Sequence, residues 1–566
     1  MNASPAQPSS PVAPAAATAR AARRTLPAAA ALAALALAAG PALASPAQAA
    51  ETDPSIAALS EFESYWTPAP YDKADPAGTA FRGSVTQEGT SMLGQNDRTL
   101  VAINNAADEA QQHRALIDAD EDWKQTLPDS LGPVLGKYFA EGLEDGSLAE
   151  TSKAIQAAGK AASTGDAKKH FNYPRPFMDD RSLDGKNDLR GLEKKLGIKK
   201  VADWTDPETK KSHTALYDGM VASHSQAFPS GHTTYAYQVG LELSMLVPQL
   251  APEVLTRSSE AGNNRVVLGV HYPMDIMGGR ILSHMKMAQI FSDGTYPEDT
   301  IKPAQSELQA YLAKRCKADD LGSDLESCID KTGAAGAKGY ANPAVDEVSK
   351  KPVTDRASAL TAFRSRMTYG FAKVGKAGAA PEVPAQAPAL LTSAFPTLNE
   401  DQRREVLAAT EIDSGYLFDA SSKGWQRIDL PAATSSKVTL SKDGTVVKVE
   451  PGQSRASVVT EAAPTPTSPA PSPSDSAPAP APSRTSGPAP TEEPSQSPTA
   501  SAPTTSAPAP APKPGDDGDD DNGSGPGKLP RTGAELGAAL AAAAAAVGLG
   551  GGLVALTRRR KRAERD

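Results

Sequence analysis

Three short clusters bring together residue types suited to chemistry on an anion. The first is Lys168, followed after six residues by Arg175-Pro176. The second reads Phe228-Pro229-Ser230-Gly231-His232-Thr233-Thr234, and the third runs from Arg265 through His271 and Asp275 to Gly278-Gly279-Arg280. Jointly they supply three cations, a helix start, two imidazoles and a carboxylate. Cationic side chains can grip the oxygens of a phosphoryl group, and a histidine steered by a carboxylate can act as a nucleophile.

The positions within each cluster sharpen that reading. Ser230 stands where an N-cap belongs, directly before the periodic residues Ala236, Val239, Leu243 and Leu246, and Gly231 permits close backbone approach. The first amides of such a helix are free to meet an anion, with the Ser230 hydroxyl and the His232 side chain within one turn. Pro273 suits the first turn of another helix, because its missing N–H costs nothing there. His271 then precedes the helix and Asp275 sits in its first turn, within reach of the imidazole. A carboxylate on one ring nitrogen leaves the lone pair of the other exposed. Lys169 is as good a donor as Lys168 on proximity, and only the spacing to Arg175 favours Lys168. Tyr173 and Phe228 read equally well as apolar walls of a pocket or as core.

The elements that must carry these groups are helical. Apolar residues recur at helical intervals from Val101 to Ile117, from Leu131 to Leu143, from His232 to Val247 and from Pro273 to Ile290, with shorter helices expected over Ser147–Ala158 and Leu189–Leu196. Alternating valine-rich runs are scarce, so an all-α class is expected rather than a doubly wound sheet. Farther along, a helix is expected over Asn399–Ala409, a polar turn at Trp425, and strands at Val438–Leu440 and Val446–Val449.

Taken in order, Lys-x6-Arg-Pro, Pro-Ser-Gly-His and Arg-x5-His-x3-Asp closely resemble the signature of the type 2 phosphatidic acid phosphatase superfamily, which includes bacterial class A non-specific acid phosphatases and vanadium-dependent haloperoxidases. The resemblance spans roughly Ala106 to Ile290 and implies a helical-bundle core. It also implies that Lys168, Arg175, Arg265, the Ser230 side chain and the Gly231 amide hold phosphate. His271 would attack phosphorus, Asp275 would orient it, and His232 would protonate the leaving oxygen. Where the family usually has Ser before the third-motif arginine, this chain has Asn264. The implied activity is metal-independent hydrolysis of phosphomonoesters with no cofactor, since the cationic side chains take over a metal's electrostatic work. A lipid or isoprenoid diphosphate phosphatase, a vanadium haloperoxidase-like enzyme and a non-catalytic surface adhesin are the alternatives.

Both ends read as addresses. Arg20, Arg23 and Arg24 precede an apolar run and a small-residue stretch, as in a secretory signal over 1–49, with a membrane anchor as the alternative. At the other end Leu529-Pro530-Arg531-Thr532-Gly533 precedes an apolar run ending at Leu556 and the basic Arg558-Arg559-Arg560-Lys561-Arg562. This order resembles the LPxTG sorting signal of Gram-positive surface proteins, and the resemblance implies sortase cleavage after Thr532 and attachment to peptidoglycan. It also implies a precursor that passes through the membrane, where the apolar run within the 529–566 sorting signal would serve as a transmembrane stop. The formal net charge of −9, with the one basic run at this extreme end, argues against a nucleic-acid partner.

Between these addresses we expect a phosphatase domain over 50–345, an accessory unit over 346–457 and a stalk over 458–528. From Glu461 to Gly515 the chain has no Leu, Ile, Val, Phe, Tyr or Trp, so it has no apolar area to set against chain entropy. Cys316 and Cys328 are the only cysteines, and in an exported protein they are expected to form a disulfide worth roughly 3 kcal/mol. No Cys-rich metal site is possible with two thiols.

Overall fold

Ser230 ends extended backbone and caps a helix that becomes the centre of the structure. In this computed structural model, which describes residues 53–333 and 339–461, the elements in chain order begin with α1 (Gly89–Ala106), α2 (Glu109–Asp118), α3 (Gly132–Glu144), α4 (Ala149–Ala158) and α5 (Gly165–Phe171). The central helices follow as α6 (Gly231–Leu246), α7 (Ala251–Val267) and α8 (Pro273–Phe291). Then come α9 (Lys302–Ala318), α10 (Leu325–Thr332), α11 (Arg356–Thr368) and α12 (Glu400–Thr410). The expected leader and sorting signal, together with nearly all of the expected stalk, lie outside the described residues. Among the described residues no helix is long and apolar enough to cross a membrane.

The helices expected around the motifs are present, and the class is all-α with a few short strands. Three expectations are corrected. The run from Val101 to Ile117 is split, because Asp108 turns extended and caps α2 by accepting from the Gln111 amide at 2.8 Å. No helix forms over Leu189–Leu196: Arg190 and Gly191 both take positive φ, and Asp188 bridges to Ser84 instead. Trp425 is not in a polar turn but in a short 3₁₀ helix, and its indole is buried.

Helices α6 and α7 form the most extensive helix–helix interface and run antiparallel. Two glycines allow it. A Cβ on Gly240 would fall 1.8 Å from Ser258 Oγ, and one on Gly262 would fall 2.9 Å from Thr233 Cγ2. This close approach sets the end of α7, with Arg265, against the start of α6. Helix α8 packs across both, and every residue from Ala251 to Val267 is buried.

The segment after residue 346 contributes side chains to the same core. Phe363, Met367, Leu391, Trp425 and Val438 belong to one hydrophobic cluster with Leu243, Val254 and Ile281. Its polar fastenings are long-range: Arg356 pairs with Glu253 at 2.6 Å, and Arg280 Nη2 donates to the Gln426 carbonyl at 3.0 Å. A three-stranded sheet closes the described chain, with Lys437–Leu440 central, Val446–Glu450 antiparallel to it and Ser457–Thr460 parallel. Val438 stands opposite both Val449 and Val458. Cys316 on α9 is bonded to Cys328 on α10.

Candidate active site

The start of α6 is built as an anion receptor. Ser230 Oγ accepts from the Thr233 amide at 3.3 Å and from Thr233 Oγ1 at 2.9 Å, so its own proton remains for an oxyanion. The Gly231 and His232 amides open the first turn, where a helix cannot satisfy its own N–H groups. Ser230 is itself pinned, its amide donating to the Asp275 carbonyl at 3.0 Å. The two motif helices are therefore locked start to start.

At the start of α8, Asp275 serves two donors with one oxygen. Its Oδ2 lies 2.8 Å from His271 Nδ1 and accepts from the Tyr272 amide at 2.9 Å, closing a capping box. On the far side of the ring, Arg175 Nη1 lies 2.9 Å from His271 Nε2. A guanidinium only donates, so Nε2 presents its lone pair and Nδ1 carries the proton toward Asp275. The tautomer a nucleophile needs is thus imposed from both sides.

Three buried cations surround this imidazole. Lys168 is buried and its Nζ donates to the Gln226 carbonyl at 2.8 Å, whereas the neighbouring Lys169 turns outward to Asp166 at 3.9 Å. Arg175 is held by the carbonyls of Ser225 at 2.7 Å and Val270 at 2.8 Å and by Ser225 Oγ at 2.8 Å. Arg265 is 2% exposed, has no carboxylate in ion-pair distance among the described residues, and leaves Nε and Nη1 without partners. Burial pushes Arg265 down to about 10 and Arg175 to about 9, values at which both guanidinium groups still carry charge at any neutral or acidic pH.

The electrostatics favour a free lone pair in acid. Burial, then Arg175, Lys168, Arg265 and His232, hold His271 well below the usual histidine range. Burial also lowers Lys168 and raises Asp275 to about 7, against the pull of the Tyr272 amide, Arg175 and Lys168. His232 is partly exposed, with Nε2 lying 3.2 Å from the Ala119 carbonyl and Nδ1 lying 3.3 Å from Glu121. Arg175 and Asp275 thus touch His271 directly, the charges of Lys168, Arg265 and His232 act on it, and His232 is the most exposed of these side chains.

Several supports were not visible in the motifs. Glu121 sits in an acidic run, Asp120-Glu121-Asp122, that reads as solvated surface. Asn264 donates to Asp118 at 2.7 Å and accepts from Gln111 Nε2 at 2.6 Å, so the departure from the usual serine is absorbed into a network behind Arg265. Tyr173 and Phe228 are buried in an aromatic cluster, Phe228 stacked on Phe62 and edge-on to Phe171, and Tyr173 edge-on to Phe62. Of the other histidines, His170 meets Glu63 at 3.0 Å, His213 meets Asp120 at 2.9 Å, and His284 is fully buried.

Residues 152–292 match the PAP2 superfamily, and residues 521–562 match the LPXTG cell wall anchor motif. An acid phosphatase of Zymomonas mobilis is 28% identical over 163 residues, covering 29% of this chain and 50% of that protein. A non-specific acid phosphatase of Salmonella typhi is 36% identical over 64 residues, covering 11% and 26%, and one of Providencia stuartii is 30% identical over 80 residues, covering 14% and 32%. The chain spans about half the length of the first of these relatives and less of the others. The matched segment is similar to PAP2 superfamily domains, and these relatives are acid phosphatases. The chain's LPXTG motif marks it for covalent anchoring to the Gram-positive cell wall.

Proposed function

We propose that this chain is a wall-anchored acid phosphatase that hydrolyses phosphomonoesters through a phosphohistidine, without a metal or other cofactor. The observation that carries the reading is Arg265: a buried guanidinium with two unpartnered nitrogens and no carboxylate in ion-pair distance among the described residues, an arrangement that costs several kcal/mol until an anion arrives. With Lys168, Arg175, Ser230 and the Gly231 amide it suits the equatorial oxygens of a phosphoryl group. Export through the 1–49 leader and sortase processing after Thr532 belong to the same proposal.

The chemistry follows from the atoms. The ester phosphate draws the Arg175 donors onto its oxygens and uncovers His271 Nε2. That lone pair attacks phosphorus in line, the phosphorus–ester oxygen bond breaks, and His232 gives its proton to the departing oxygen. In the second half, His232 takes a proton from water, the water oxygen attacks phosphorus, and the nitrogen–phosphorus bond breaks to release phosphate. Charge on the oxygens is met by fixed cations, as phosphoryl transfer requires.

Release of phosphate from a simple aryl phosphate by the purified exported part, residues 50–532, in excess EDTA tests the metal-independent reading. Undiminished turnover is expected, and loss of turnover reversed by a divalent cation would contradict it. Vanadate, which can adopt the trigonal bipyramidal geometry of the transition state, is expected to inhibit competitively. Full turnover at saturating vanadate would count against the anion cradle.

Asp275 can be probed more finely. Because His271 and the Tyr272 amide both point to Oδ2, the single amide oxygen introduced by Asp275→Asn can serve both, while the charge is lost and the amide nitrogen takes the buried, unpartnered place of Oδ1. Asp275→Asn is therefore expected to lower kcat by about 10- to 100-fold, and Asp275→Ala by about 10³-fold or more, through loss of orientation as well. Equal losses in the two variants would show that orientation contributes nothing.

A further inference from the structure

The loop after α2 grips His232 from both sides. Ala119 presents its carbonyl 3.2 Å from Nε2, and Glu121 presents its carboxylate 3.3 Å from Nδ1. Glu121 takes φ 54°, a left-handed backbone that side chains adopt only when the surroundings impose it. The imposition is visible on either flank. Asp120 is tied to Lys211 at 2.8 Å and to His213 at 2.9 Å, and Asp122 caps the next turn by accepting from the Lys124 amide at 3.2 Å. Glu121 is left to turn inward.

The charges around His232 explain why a carboxylate belongs there. Arg265 from α7, Lys168 from α5 and Arg175 beyond it all disfavour a second proton on the ring, as does burial. His271 stands across the site and is neutral, and its Asp275 is committed to it. Glu121 faces Arg265 and Lys168 as well as His232, with the Tyr235 phenol close by, and burial raises its own carboxyl. Asp118 is engaged with Arg257 and Asn264. Among the described residues Glu121 is thus the one carboxylate in ion-pair distance of the imidazole. Two oxygen acceptors facing two ring nitrogens also require a proton beyond that of neutral histidine, carried by the ring or by the carboxyl.

We propose that Glu121 is a positioning residue for proton transfer, the counter-charge that keeps a donatable proton on His232 until the leaving oxygen takes it. The proposal rests on the phosphatase reading and adds a device that the three motifs do not contain. The proton passes from His232 to the ester oxygen as the phosphorus–oxygen bond breaks, and no other reactant is needed. Departing oxygens that are already stable as anions have little use for it.

The test compares the wild-type protein with Glu121→Gln and Glu121→Asp, following release of the leaving group in single turnovers from an alkyl phosphate and from 4-nitrophenyl phosphate. For Glu121→Gln we expect a loss of about 10- to 100-fold on the alkyl ester and less than about 3-fold on the nitrophenyl ester. The alkaline limb of the alkyl-ester rate should move about one pH unit toward acid, since removing an anion lowers the histidine. Glu121→Asp should recover part of both effects. Equal losses on the two esters with an unmoved limb would overturn the proposal and leave the phosphatase reading intact. A wild-type protein inactive on both esters would overturn that reading and the proposal together.

Discussion

Replacing His271 with alanine is expected to reduce hydrolysis of an aryl phosphate by about 10⁴-fold or more, the scale seen when a nucleophile is removed from a preorganised site. The reason is geometric. His271 Nε2 is the lone pair fixed in front of Arg175, with Asp275 2.8 Å behind the ring. His232 cannot substitute, because both of its nitrogens face oxygens and it is the more exposed ring. The cavity left by the ring should admit free imidazole, so partial recovery of turnover on adding imidazole is expected to distinguish a missing nucleophile from a collapsed site. His271→Gln, which fills more of the space, should be equally inactive without such recovery. Activity of His271→Ala near the wild-type level would remove the assigned nucleophile.

The second large effect concerns stability. Glu260, on α7 and 1% exposed, accepts from Arg114 through Nε at 2.6 Å and Nη2 at 2.9 Å, from the Tyr340 hydroxyl at 2.6 Å and from Asn342 at 2.9 Å. Arg257 approaches it while holding Asp118 at 2.7 Å, and Asp129 joins both arginines. Removing the Glu260 charge takes from Arg114 its two-nitrogen partner while Asp129 and Asp118 still serve the arginines, so Glu260→Gln is expected to cost about 1.5 to 3 kcal/mol in unfolding free energy. Arg114 and Arg257 hold the Glu260 carboxyl far below its ordinary 4.5 despite burial. A carboxyl lowered in the folded state contributes fully above its unfolded value, and the contribution drains away only as pH falls from there toward the folded value. The gap between wild type and Glu260→Gln should therefore be complete near neutrality and begin to narrow only below about pH 4.5. Denaturant unfolding at several pH values measures it, and a constant gap down to strong acid would contradict the assignment.

Much of the site was legible because its rules are local. A serine before a periodic apolar run, a proline at a helix start, and a histidine four residues before an aspartate each have one good geometry, and each is realised at Ser230, Pro273 and His271–Asp275. Spacing favours Lys168 over Lys169, and of the two Lys168 is the buried one while Lys169 is turned out. The remainder lies in contacts that chain distance hides. Helix α7 carries Arg257, Ser258, Ser259, Glu260, Asn263 and Asn264, polar residues spread around the helix, and only its neighbours reveal that they are buried. Glu121 reads as one acid among three until α2 ends and a left-handed residue turns it inward. The merging of the later segment into the core likewise depends on pairs such as Arg356–Glu253 and Arg280–Gln426, which no short window contains. Leu189–Leu196 had helical spacing, but Gly191 and Arg190 at positive φ turn the chain there instead.

The central claim is that phosphorus passes through one nitrogen of one residue. Rapid quenching in alkali during turnover of an aryl phosphate, followed by mass spectrometry of the digested protein, reads this directly. A phosphoryl group is expected on the peptide containing His271, lost on acidification and absent in His271→Ala. Phosphate released at the wild-type rate with no labelled histidine, or with the label on another residue, would contradict it.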